Sequence, residues 1–99
     1  MPSELKFKDL DSVLNSQVRL AIVSVLMKVN KADFNYLKEV TGATQGNLSH
    51  QIKKLKEAEY VKVDKTFENN YPKTYLRIAP KGKKAFESYV NAIKGYLDL

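Results

Sequence analysis

Residues 44–56 carry hydroxyls, carboxamides, one imidazole and three ammonium groups, and no carboxylate. Within them Leu48, Ile52 and Leu55 recur at i, i+4 and i+7, the spacing of one buried helix face. With Leu48 at the centre of that face, Gly46, His50 and Lys53 fall near the opposite one, flanked by Asn47, Ser49 and Lys54. Such a surface offers donors and acceptors to base edges and repels no phosphate. Asn47 could pair bidentately with adenine, and Lys53 could reach guanine or a phosphate. Thr44, Gln45 and the first free amides of the helix suit a backbone phosphate, aided by the helix dipole. Gly46 permits a close approach of the backbone. An ordinary solvated helix face would look much the same, so this helix alone does not decide the matter.

A second acid-free stretch spans 69–84. Asn69, Asn70, Tyr71, Lys73 and Thr74 follow Glu68 as hydrogen-bonding groups at a candidate hairpin tip. A wing lying over a phosphate backbone or in a minor groove would use such residues; a merely soluble tip could also carry them. The two windows hold eight of the 17 basic residues and none of the 11 acidic ones, within a net charge of +6. They gain meaning only if the fold brings them together.

Other chemistries find little support. His50 is the single histidine and there is no cysteine, so a disulfide framework, a thiolate zinc site and a cysteine nucleophile are excluded. One histidine does not assemble a catalytic triad, Glu57 and Glu59 are unexceptional at a charged helix end, and no glycines cluster into a phosphate loop. The expectation is no enzyme, no metal and no cofactor. No apolar run approaches the ~20 residues of a membrane span. The opening MPSELKFKDL mixes charge with apolar residues, unlike a signal peptide, so a cytoplasmic protein is expected.

Ninety-nine residues, 43% hydrophobic and 28% charged, suit one globular domain with one core. A helical turn is expected near Leu10–Leu14. Ser16 should cap a helix over Gln17–Val29, with Val18, Ile22, Val25, Leu26 and Val29 on one face. Ala32–Phe34 reads as a short extended piece. Asn35 should cap a helix Tyr36–Thr41 that buries Leu37 and Val40 and ends at Gly42 in the left-handed conformation. Thr44 should cap the next helix, Gln45 to about Ala58, after a turn of only two residues, which is helix-turn-helix spacing. The period then changes to two. Val61, Val63 and Phe67 alternate with polar residues, Lys65 breaking the apolar side. A five-residue turn, Glu68 to Pro72, leads to a strand over Lys73–Ile78. Pro80 opens a last helix to about Leu97, with Phe86, Tyr89, Val90, Ile93 and Leu97 as an apolar stripe.

The run Thr44-Gln45-Gly46-Asn47-Leu48-Ser49, continuing through Ile52, Leu55, Ala58, Tyr60 and Val61, then Lys65-x-Phe67, Pro72-x-Thr74 and Pro80-x-Gly82, resembles the small winged-helix transcriptional regulators related to the MarR and ArsR groups. The resemblance covers about residues 10–97. It implies a homodimeric, sequence-specific DNA-binding regulator. By position, Gln45, Asn47, Ser49, His50, Lys53 and Lys54 match the recognition-helix surface, and Asn70, Lys73 and Thr74 match the wing. Three departures stand out. Glu59 occupies the place of a helix-ending Gly, at about 1 kcal/mol if the backbone there is left-handed. Ala79 replaces a capping Thr, also worth about 1 kcal/mol. The wing tip Asn69-Asn70 is neutral where a basic tip is common. The cysteines of metal-sensing relatives are absent.

The expected fold is α+β: one winged helix-turn-helix domain over 1–99, with its core in 10–78 and a C-terminal helix in 79–99. In a small domain that helix could simply close the core; the expectation is that part of it pairs two copies through Phe86, Tyr89, Val90, Ile93 and Leu97, since aromatic content at 86, 89 and 96 favours an interface. The expected partner is double-stranded DNA, with no membrane and no effector identified. A winged-helix protein-interaction module without DNA binding is the alternative. Single-stranded binding would lean on exposed aromatics, for which Tyr71 and Tyr75 are the candidates.

Overall fold

The computed structural model describes residues 7–98. The expectation of no signal peptide falls largely on residues 1–6 and so lies outside the described residues. The elements are α1 (Gln17–Leu26), β1 (Ala32–Asp33), α2 (Phe34–Thr41), α3 (Gln45–Glu57), β2 (Val61–Glu68), β3 (Tyr71–Ile78) and α4 (Pro80–Leu97). Helices and an antiparallel sheet share one core, the α+β winged-helix arrangement. The sheet order is β1-β3-β2, so the short β1 adds a third strand to the hairpin.

Local chemistry sets most boundaries. Ser16 is extended and its hydroxyl accepts from the Arg19 amide, starting α1. Just before it, Asp11 Oδ1 accepts from the Val13 and Leu14 amides and shapes the expected turn. The helix α1 stops at Leu26, earlier than expected, and Val29 is exposed. Asp33, not Asn35, caps α2: its Oδ1 accepts from the Tyr36 amide at 2.7 Å. Both residue types cap helices; pairing of Asp33 with Tyr75 in the sheet holds Asp33 extended at the helix start. Leu37 is buried as expected, whereas Val40 is exposed. Gly42 ends α2 at φ 70° and Thr44 Oγ1 accepts from the Asn47 amide, opening α3 two residues later.

The end of α3 is a Schellman motif. The Tyr60 amide donates to the Leu55 carbonyl and the Glu59 amide to the Lys56 carbonyl, with Glu59 left-handed at φ 64°. This is the position where the related pattern has glycine. The Tyr60 carbonyl then accepts from the Ala79 amide at 2.9 Å, docking the start of α4. A Cβ on Gly82 would lie 2.1 Å from that carbonyl oxygen. Only glycine lets α4 approach so closely. Ala79 supplies no side-chain cap, as expected from its type.

The hairpin turn is two residues, not five. Asn69 and Asn70 lie at φ 52° and 66°, the paired positive values of a type I′ turn, which asparagine tolerates. Tyr71 and Pro72 therefore belong to β3, paired with Glu68 and Phe67. The core holds Leu14, Ile22, Val23, Leu26, Leu37, Leu48, Leu55 and Leu76, all essentially inaccessible. Tyr60, Val61 and Tyr89 close it. The hairpin outruns this core, so Phe67 lies on the core-side face of β2 yet is 75% exposed.

Candidate nucleic-acid interface

Burial of Leu48, Ile52 and Leu55 fixes the rotation of α3. Thr44, Gln45, Gly46, Asn47, Ser49, His50, Lys53 and Lys54 are all exposed. A Cβ on Gly46 would meet nothing within 4 Å, so the protein's own packing does not demand glycine there.

Cross-strand register sorts the wing. Directly paired residues share a face. Lys65 pairs with Thr74 and Val63 with Leu76, so these four lie on the side packed against α3. Thr66 pairs with Lys73, Asp64 with Tyr75 and Lys62 with Arg77, so these lie on the other side. Lys73 and Thr74, grouped by the sequence, are thus separated. Lys73 turns away from α3 and its Nζ sits 3.5 Å from Asp33 Oδ2. Thr74 joins Ser49, Ile52, Lys53, Lys56, Val63, Lys65 and Phe34 around an open groove of about 290 Å³ between helix and sheet. Lys53, Lys56 and Lys65 bring three ammonium groups to it and no carboxylate lines it.

The far face of the sheet is different in kind. Arg77 Nε donates to Asp64 Oδ2 at 2.8 Å, and that hydrogen bond, aided by the guanidinium charge, holds the Asp64 carboxyl below its usual range. The Tyr75 hydroxyl donates to Glu68 Oε2, which pushes the phenol up, and Lys31 lies 4.2 Å from the Tyr75 ring centroid. Apart from Lys62, the charges there are engaged with one another or with Tyr75, while those of the groove are not paired with any acid among the described residues. The groove side is therefore the one left to attract a polyanion.

Asn69 and Asn70 form the exposed tip, with Phe67 and Tyr71 exposed beside them. The basic residues of 69–84 do not form one patch. Lys73 and Arg77 are on the far sheet face, and Lys81 on α4 pairs with Glu59 at 3.7 Å. The cations that complete the α3 surface are Lys56 and Lys65, neither of them singled out from the sequence as a site. Lys65 did leave a trace there, as the one polar residue on the apolar side of β2.

The stripe of α4 also divides. Tyr89 is buried in the chain's own core and its hydroxyl lies 3.4 Å from Asn15 Oδ1, which removes it from the expected dimer contact. Phe86 and Ile93 are partly buried against that core. Val90, Tyr96 and Leu97 remain exposed, Leu97 at 74%. Among the described residues no helix is long and apolar enough to cross a membrane.

A family model described as a winged helix DNA-binding domain matches residues 18–97. An uncharacterized protein of Methanocaldococcus jannaschii is 40% identical over 81 residues, covering 82% of this chain and 88% of its own. The fold superposes on a transcriptional regulator homologue from Pyrococcus horikoshii with a TM-score of 0.80 at 29% identity, over 87% of this chain and 85% of that one. It also superposes on Bacillus subtilis PadR, solved in complex with operator DNA, with a TM-score of 0.61 at 20% identity over 74% of this chain and 47% of that one, a likeness of fold. Matched by that family model over residues 18–97 and superposing on a transcriptional regulator homologue over 87% of its length, the chain belongs to the winged-helix DNA-binding domain family of transcriptional regulators.

Proposed function

We propose that this chain is a homodimeric transcriptional regulator that reads a specific site in double-stranded DNA. The carrying observation is the continuous acid-free surface from Thr44 through Lys56, joined to Lys65 and Thr74 across one open groove. In this reading α3 enters the major groove, with Gln45, Asn47, Ser49 and His50 facing base edges. Lys53, Lys54, Lys56 and Lys65 meet phosphates, and Thr44 and the first amides of α3 hold one more. Asn69 and Asn70 lie along the adjoining strand. Lys73, already beside Asp33, contributes less.

Dimerisation is part of the proposal. Val90, Tyr96 and Leu97 leave apolar surface on α4, and Met27, Phe86 and Val90 line a shallow groove of about 460 Å³ beside it. A twofold pair would set two α3 helices about 34 Å apart, one turn of duplex. That PadR, a protein of like fold, was solved with operator DNA supports duplex DNA as the partner. Selection of bound duplexes from a random pool is the test. An inverted repeat with half-sites one turn apart is expected; recovery of unselected sequence at every round would overturn the reading.

A further inference from the structure

Arg19 of α1 lies outside the surface just described, yet it is wired to it. Its Nε donates to the Val13 carbonyl at 2.6 Å and its Nη1 donates to Gln51 Oε1. Gln51 Nε2 donates in turn to Asn47 Oδ1 at 3.0 Å. A guanidinium only donates. Gln51 must therefore turn its oxygen to Arg19, which leaves its NH2 group to face Asn47. Asn47 must then answer with oxygen. The two carboxamides, each otherwise free to present either end, are set in one orientation by a charge at the start of the chain of bonds. The Asn47 Nδ2 group is left at the exposed end, with no acceptor among the described residues. It carries two N–H donors.

We propose that Arg19 and Gln51 are positioning residues that lock Asn47 as a hydrogen-bond donor, and that among the base acceptors of the groove, which also include guanine O6 and thymine O4, it reads a purine N7. Both adenine and guanine offer that acceptor in the major groove. The inference rests on the proposed reading of duplex DNA by α3. Without the relay the Asn47 carboxamide turns freely about χ2, which has only a broad preference. It then presents oxygen as often as nitrogen and loses its preference for an acceptor. The relay acts through geometry alone, since neither Arg19 nor Gln51 need touch DNA.

The test uses the full chain and a selected duplex in which each purine is replaced singly by its 7-deaza analogue, which lacks the N7 acceptor. Wild type should lose about 5- to 10-fold in affinity at one position per half-site, the scale of one hydrogen bond. Asn47→Ala should show no such sensitivity. Gln51→Leu and Arg19→Met should each lose most of it, and neither should alter the 7-deaza profile further when combined with Asn47→Ala. Because Arg19 also holds the Val13 carbonyl, Gln51→Leu carries the test if Arg19→Met fails to fold. Full 7-deaza sensitivity in Gln51→Leu would overturn the relay while leaving DNA recognition intact. Failure of wild type to bind any duplex would overturn the underlying reading instead, and the relay with it.

Discussion

Gly46→Ala should move stability and DNA affinity in opposite directions. Gly46 is the second residue of α3, and an added Cβ meets no atom of the chain within 4 Å. Its φ is not in the left-handed region, so alanine fits the backbone. Replacing glycine in a helix should then stabilise by about 0.5–1 kcal/mol. In a domain of this size that raises Tm by about 2–8 °C. Against DNA the same methyl enters the space where α3 is proposed to meet the groove. Overfilling a close contact costs about 1–3 kcal/mol, which is roughly 5- to 150-fold in Kd. Thermal melts and fluorescence anisotropy with a labelled duplex read the two effects on one sample. A stabilised variant that binds within twofold of wild type would refute the close approach of α3 to DNA.

Gly82→Ala should destabilise strongly, because its Cβ would lie 2.1 Å from the Tyr60 carbonyl oxygen and force α4 away from its hydrogen bond with Ala79; a Tm within 2 °C of wild type would contradict that packing. Glu59→Gly should stabilise by about 1 kcal/mol by relieving a left-handed non-glycine residue, measured by urea denaturation. Lys65→Ala should weaken binding to all duplexes and reduce the log Kd against log salt slope by about 1.8 for the dimer, about 0.9 for each Lys65. Lys73→Ala should do less, and the reverse order would count against the assigned wing face. Burial, then the hydrogen bond and charge of Asp11, push the Tyr60 phenol from 10.0 to about 12. Folding favours the protonated phenol, so this contribution is complete below pH 10 and lost as pH rises through about 12. Denaturation midpoints of Tyr60→Phe should therefore fall less steeply than those of wild type across that window.

Much of the fold was legible because its punctuation is local. Ser16, Gly42 and Thr44 each act on amides or carbonyls within four residues, and the change of period at Val61 marks the hairpin. The misjudged details were set by longer-range contacts. Asp33 and Asn35 are both capping types two residues apart, and strand pairing with Tyr75 settles which one is used. The apolar stripe of α4 cannot say whether Tyr89 is buried by its own chain or by another, since both leave the same period. Lys73 and Thr74 are neighbours in sequence but alternate across the sheet, and the direction of each follows from the two-residue turn at Asn69-Asn70. The relay through Arg19 joins residues 32 apart and leaves no periodic trace.

Mapping the duplex contact directly on the chain tests the central claim most simply. In a titration of 15N-labelled protein with a selected duplex, the expected result is amide shift changes concentrated in 44–56, 65–67 and 69–74. Changes concentrated instead on α4 or on the far sheet face around Asp64 and Arg77, with 44–56 undisturbed, would contradict the assignment of the binding surface.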